Sequence, residues 1–249
     1  MAYREFEPPA ELSGVVVCTW ERAVPDAAAP QAKRVLPDGC TDIVWRNGEL
    51  VVAGPDSGPA MTPLAPGETV IGLRLRPGTA GQALGLPASE LRDARIPLED
   101  LWGELGRDIE ERVAHAGAAE PRRHALEEVA LAHLADAGGP DALVLAATRW
   151  LGQPGARVSS LSDALATSER QLLRRFKAAV GYGPKTLDRV LRFQRFLALA
   201  PAVARGEDEL ARVAAELGYA DQAHLSRECM SLSGLTPTEL VATWTAGEP

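Results

Sequence analysis

Three cysteines and four histidines in 249 residues leave little room for metal or disulfide chemistry. Cys18, Cys40 and Cys229 lie far apart with no two at CxxC spacing, which excludes a zinc knuckle and a disulfide framework and fits a reducing compartment. His115, His124, His133 and His224 have no partner at ligand spacing, so no metal site is expected. No apolar run approaches the roughly 20 residues that span a bilayer, so no membrane partner is expected. The opening stretch MAYREFEPPAEL lacks a basic start followed by an apolar core. A secretory leader is therefore not expected, and a cytoplasmic location is. Paired carboxylates at a recognisable spacing, a nucleophile elbow and a phosphate loop are missing too, so no catalytic residue and no cofactor are expected.

What is present is acid, unevenly spread. The net charge is −8. Residues 1–139 hold 13 Lys and Arg against 22 Asp and Glu, whereas residues 140–249 hold 13 against 12. Between Arg170 and Arg195 there are eight basic residues and a single acid, Asp188. Contact with phosphate depends on the local field, so an acidic total is no bar to binding nucleic acid.

The length exceeds that of most single domains, and the pattern divides the chain. Residues 1–103 read as a β-rich domain. Val15–Trp20 is β-branched and aromatic, and Asp42–Trp45 and Leu50–Ala53 flank an Asn47-Gly48 pair suited to a type I′ hairpin turn. Val70–Leu75 alternates, Thr79–Leu86 and Ala88–Ala94 read as short helices, and Ile96–Trp102 follows them. Residues 104–139 turn helical: Ile109 and Val113 share one face, and Leu126, Val129, Ala130 and Leu134 another, after Pro121 as a first helical residue. These helices suit a linker between domains or a pairing surface for a second copy of the chain, and the sequence leaves both open. Gly138-Gly139-Pro140 marks the next boundary.

Residues 140–249 contain one pattern twice. Leu161, Ala164 and Leu165 form a short apolar helix, and Ser168 then caps SERQLLRRFKAAV, whose Leu172, Phe176 and Val180 line one side. Asp221, 53 residues after Ser168, caps QAHLSRECMSLSG behind a second short helix closed by Gly218. Leu172 matches Leu225, Arg174 matches Arg227, Gly181 matches Gly234 and Pro184 matches Pro237. That is a helix-turn-helix twice over. Between the units, Pro184–Ala200 reads as a helix of about 25 Å. Such a rod can set two reading heads on successive major-groove faces about 34 Å apart.

SERQLLRRFKAAVGYGPKTLDRVLRFQR, with ARVAAELGYADQAHLSRE and SGLTP, resembles the DNA-binding domain of the AraC/XylS family of bacterial transcription regulators over Asp141–Trp244. PDGCTDIVW, GLRLRPG, PASELRD and PLEDLWG resemble an N-terminal domain carried by a subset of that family. The resemblance implies an α+β chain: a small β-rich domain, cupin-like by analogy, and an all-α domain with two helix-turn-helix units joined by a long helix. It implies duplex DNA as partner, with Arg170, Gln171 and Arg174 on the first recognition helix and Gln222, His224, Ser226 and Arg227 on the second. Arg174 and Arg227 suit bidentate bonds to guanine, and Arg175 and Lys177 suit phosphate. For Arg189, Arg192 and Arg195 an ion pair and a DNA contact stand equal. Tyr219 is expected to pack beside the turn with its hydroxyl in water.

Four departures from the family pattern stand out. Ala166 sits where the first turn has glycine, so a tighter or differently angled turn is expected. Ser162 replaces a small apolar residue, Cys229 a phenylalanine, and Met230-Ser231 a commonly basic pair. A weaker second head is the expectation.

In the N-terminal domain Asp38, Cys40, Asp42, Trp45, Arg74 and Arg76 are the candidate ligand-binding residues, an aromatic wall with a few charges. They read equally well as hairpin residues that define the fold. Cys40 has no flanking base and reads as a plain thiol. The function expected is sequence-specific regulation of transcription, with an N-terminal domain that senses a small-molecule effector or mediates self-association as a homodimer. The alternative is a sensing or protein-interaction module with a weakened DNA-binding domain.

Overall fold

A computed structural model of the chain describes residues 2–136 and 139–245. The Leu134 side chain and Gly138 lie outside the described residues. Eight strands come first: β1 (Ala2–Phe6), β2 (Val16–Ala23), β3 (Gln31–Val35), β4 (Thr41–Arg46), β5 (Glu49–Ala53), β6 (Ala60–Leu64), β7 (Thr69–Leu75) and β8 (Arg95–Pro97). Alternation explains how they are used. In β4, Thr41, Ile43 and Trp45 are buried while Asp42, Val44 and Arg46 are half-exposed, so one pleated face meets a core and the other meets charge. Asn47 and Gly48 take φ angles of 51° and 92°, which fit the expected I′ turn into β5. Six strands form an antiparallel sheet in the order β1-β2-β7-β4-β5-β8, and β3 and β6 pair separately as a ribbon.

The apolar face of the sheet is covered by α1 (Ala80–Ala83), α2 (Leu98–Trp102), α3 (Glu104–His115) and α4 (Ala119–Asp136). Ile109, Val113, Leu126, Val129 and Ala130 are all buried there, against Ile43, Trp45 and Leu73. Polar anchors fix α4 as well. Glu127 accepts 2.8 Å hydrogen bonds from the Thr19 hydroxyl and from Arg123, and the Arg123 guanidinium lies 4.3 Å from the Phe6 ring centroid. On the other face, Cys18, Trp20, Val24 and Val70 pack with Leu64 of the ribbon.

The rest of the chain is helical: α5 (Ala142–Gly152), α6 (Leu161–Ala164), α7 (Glu169–Val180), α8 (Pro184–Ala204), α9 (Leu210–Glu216), α10 (Gln222–Ser233) and α11 (Pro237–Thr245). The chain is thus α+β, a β-rich domain followed by a helical one. α8 joins two small cores. Leu187 sits with Leu161, Leu172, Phe176 and Val180, whereas Val190, Phe193 and Phe196 sit with Val213, Leu225, Cys229 and Leu232. Among the described residues no helix is long and apolar enough to cross a membrane.

Several elements differ from the sequence expectation. β1, β3 and β6 are additional strands. Ala88–Ala94 shrinks to a 3-10 turn at Ala88–Glu90, and α4 begins two residues before Pro121. α8 runs past Ala200, through Pro201, to Ala204. Proline there forgoes one bond close to the helix end, where the loss is small enough for the helix to continue.

The two helix-turn-helix turns are built alike. In the first, Ala166 N–H donates to Asp163 and Thr167 N–H to Ser162; in the second, Gly218 N–H donates to Ala215 and Tyr219 N–H to Ala214. This is the Schellman pattern, which needs a left-handed residue after the helix. Gly218 supplies it at φ 77°, and Ala166 supplies it at φ 48° despite its Cβ. The first turn is therefore not reshaped by alanine, contrary to the expectation. The alanine is strained instead. A left-handed alanine costs about 1–2 kcal/mol, and glycine gives back roughly 0.4–1 through unfolded-state entropy. Ala166→Gly is expected to stabilise the chain by about 0.5–1 kcal/mol, read as a higher urea midpoint at unchanged slope. An equal or lower midpoint would show that Ala166 is unstrained.

Candidate nucleic-acid interface

The face of α7 is set by three different burials. Leu172, Phe176 and Val180 fix one side in the core. Ser168 caps the N-terminus, its hydroxyl accepting from Gln171 N–H at 3.3 Å, and Gly181 at φ 96° ends the helix. Arg175 is bound on a second side: its Nε and Nη2 donate to the two oxygens of Asp141 at 2.6 and 2.5 Å. Asp141 is itself the cap of α5, accepting from Leu143 and Val144 N–H at 3.0 and 3.2 Å. The Arg175 guanidinium holds the Asp141 carboxyl below the usual carboxylate range. Arg175 was expected to clamp phosphate. Its bidentate ion pair gives it a structural post instead.

Arg170, Gln171, Arg174 and Lys177 are exposed, together with Glu169, Leu173 and Ala178. Arg170, Arg174 and Lys177 are spaced i, i+4, i+7 and so share a face, and none has an ion-pair partner among the described residues. With Ser168, Gln171 and Leu173 they line an open hollow of about 510 Å³.

α10 repeats the frame with fewer charges. The Asp221 carboxylate caps it by accepting from His224 N–H at 2.6 Å, and Gly234 ends it at φ 70°. Gln222 and Arg227 are exposed, Arg227 without a partner among the described residues. His224 is half-buried; its Nδ1 accepts from Ala220 N–H at 3.2 Å and its ring meets Tyr219 edge-on. Ser226, carried over as a residue of this helix by the resemblance, donates its hydroxyl back to the Gln222 carbonyl at 2.9 Å. Cys229 is wholly buried, and burial pushes its thiol up to about 12. Met230 is exposed, and the Ser231 hydroxyl accepts from Arg189.

The three arginines of α8 are engaged. Arg189 pairs with Glu228 at 2.7 Å, Arg192 pairs with Asp188 and lies over the Tyr219 ring, and Arg195 donates to the Leu151 carbonyl at 2.8 Å. The Tyr219 hydroxyl is buried without a hydrogen-bond partner among the described residues, so it does not reach water as expected.

In the β-rich domain the structure gathers four of the six candidate ligand residues. Arg74 lies 3.1 Å from Asp42 and 3.5 Å from Asp38, and Asp38 accepts from Cys40 N–H at 2.8 Å. Trp20, Glu5 and Tyr3 join them. The Trp20 indole donates to Asp42 at 3.0 Å, Arg74 reaches Glu5 at 3.4 Å, and the Tyr3 hydroxyl donates to Glu5 at 2.7 Å. Burial pushes the Asp42 carboxyl up to about 6, against the pull of Arg74. Burial, reinforced by Asp38, also holds the Cys40 thiol well above its ordinary range.

Two candidates drop out of this cluster. Trp45 is three residues from Asp42 on one strand, so it points through the other face into the core, 5.5 Å from Arg122. Arg76 lies past the end of β7 and donates to the Ser13 carbonyl at 2.8 Å.

Residues 161–243 match the family described as a helix-turn-helix domain, and residues 4–97 match a domain of unknown function, DUF6597. The C-terminal unit is an AraC-type helix-turn-helix domain. Domains of this type serve DNA-binding transcription regulation. No curated protein matches the chain. Among solved structures, ToxT from Vibrio cholerae aligns over 98% of this chain and 96% of its own at 12% identity and a TM-score of 0.41. A second, of unsaturated fatty acid-bound ToxT from Vibrio cholerae, aligns over 96% and 93% at 11% identity and a TM-score of 0.39.

The AraC-type domain is seated directly on the β-rich one. A Cβ at Gly81 would lie 2.3 Å from the Ala178 carbonyl oxygen, so α1 touches α7 only because residue 81 has no side chain. The segment 36–41 runs between the domains: the Pro37 carbonyl accepts from Gln194 of α8 at 2.6 Å, and Leu36 packs on the core of the second unit. Arg34 reaches the Ser233 carbonyl at 2.7 Å. Tyr3, Glu5, Trp20 and Gln194 were not among the sequence candidates; the Tyr3–Glu5 alternation in a missed strand was the available signal.

The ion pair of Arg175 separates two substitutions that the sequence treats alike. Lys177→Ala is expected to flatten the slope of log affinity against log salt by about 0.9, the contribution of one phosphate contact. Arg175→Ala is expected to leave that slope unchanged and to lower the urea midpoint. Equal slopes for both variants would return Arg175 to the phosphate-contacting set.

Proposed function

We propose that the chain is a sequence-specific transcription regulator that reads two successive major-groove segments of duplex DNA. Arg170, Gln171, Arg174 and Lys177 serve the first segment, and Gln222, His224 and Arg227 the second. One observation carries the reading. On a chain of net charge −8, three cations of a single helix face lack counter-ions among the described residues, while Arg175, Arg189 and Arg192 are paired. Unpaired arginines on a short helix behind a tight turn suit base edges and phosphates. The chain acts in the cytoplasm, where the DNA is, and takes no catalytic part.

A second reading, a sensing or protein-interaction module with weakened DNA contact, is favoured by α10, where Arg227 is the one unpaired arginine or lysine among the described residues. Selection from random duplexes with the full chain separates the two. Sequence-specific regulation gives a two-part site with a stronger first half, and Arg174→Ala relaxes one base pair of that half by about 1–3 kcal/mol. Recovery of no common sequence at moderate salt favours the second reading.

The β-rich domain is assigned the sensing of a small molecule at the Arg74, Asp38 and Asp42 cluster, with α3 and α4 belonging to that unit; self-association is its other assigned role. Segment 36–41 supports a direct route for the signal, since it carries Asp38 on one side and is held by Gln194 on the other. An effector found by thermal shift of the full chain is expected to change DNA affinity in the native chain. In Gln194→Ala the same effector should still raise Tm and leave DNA affinity unmoved. If affinity changes equally in both, the signal takes another path.

A further inference from the structure

Leu173 is out of place on α7. The apolar stripe of that helix, Leu172, Phe176 and Val180, is buried, whereas Leu173 is 42% exposed. It stands one position round from the stripe, between Arg170 at i−3 and Lys177 at i+4, and lines the same hollow as Arg174. One of its terminal methyls, Cδ1, lies near Gly183, where an added Cβ would come within 3.2 Å of it, and the residue remains partly open to solvent. The matched position of the second unit is Ser226, already bonded to its own helix. A leucine this exposed among unpaired cations lies outside the core stripe and offers nothing to phosphate. In the major groove a base pair offers one apolar group, the C5-methyl of thymine.

We infer that Leu173 reads a thymine methyl in the first half-site, as the apolar member of a reading set otherwise made of Arg170, Gln171 and Arg174. This rests on the DNA-binding reading above. The cations around Leu173 decide for DNA over a protein partner, because an apolar protein contact would leave Arg170, Arg174 and Lys177 desolvated without anions.

The test uses the full chain and the duplex it selects, with each thymine of the first half-site replaced in turn by deoxyuridine, which removes the methyl and nothing else. One position should weaken binding by the native chain about three- to tenfold, the worth of a buried methyl contact. Leu173→Ala should bind the unsubstituted duplex with the same deficit, show no further loss with deoxyuridine there, and keep its salt slope. Leu173→Met, still apolar, should retain the methyl dependence. Native binding indifferent to every methyl overturns the inference, as does a loss that persists undiminished in Leu173→Ala. A chain that selects no duplex overturns the DNA-binding reading itself, and this inference with it.

Discussion

The Asp141 carboxylate does two jobs, and the reading face depends on both being done together. It closes the N-terminus of α5 by accepting two backbone N–H groups, and it takes both arms of Arg175. A fork-to-fork pair fixes orientation as well as distance. With the apolar stripe of α7 on one side and Asp141 on another, rotation of the helix about its axis is determined, and Arg170, Arg174 and Lys177 have only solvent left to face. Because Arg175 holds the Asp141 carboxyl below its unfolded range, this contribution is present above the ordinary carboxylate pKa. It fades as pH falls through the depressed folded value.

The contact between the two domains leaves that arrangement intact. It combines small residues and main-chain carbonyls, Gly81 against Ala178, Gln194 to Pro37 and Arg34 to Ser233, with the apolar packing of Leu36. It uses the end of α7 from Ala178 and the Gly181 that follows, past Lys177, the last cation of the helix. Docking and reading therefore occupy different parts of one helix. A change transmitted from the β-rich domain, as proposed, would reach α7 and α8 without competing for the charged face.

The parts legible in the sequence were those governed by local rules. Caps at Ser168 and Asp221, glycine exits at Gly181 and Gly234, and the Asn47-Gly48 turn depend on a few adjacent residues and came out as expected. β1, β3 and β6 were not legible, because a strand such as Ala2–Phe6 owes its existence to its partner and only weakly to its own composition. The roles of Arg175 and Ser226 were hidden for a related reason. A cation is free or paired according to what the fold brings beside it, and Asp141 stands 34 residues away. Trp45 failed through parity: the candidate set mixed residues of both faces of one strand.

The two reading heads differ in charge more than in build. Caps, turns and exits of α7 and α10 agree, and Cys229 remains a core position in place of the expected aromatic. What α10 lacks is cation: Met230 stands where α7 has Lys177, and Ser226 is bonded to its own helix. Weakness of that kind is partly offset by the connection. α8, 21 residues or about 31 Å of helix, holds the second head at a nearly fixed distance from the first. In the proposed two-part site, binding of the first head would present the second to its half-site at a high effective concentration. On that proposal it could discriminate with few contacts, because the first head would supply the affinity that brings the chain to DNA.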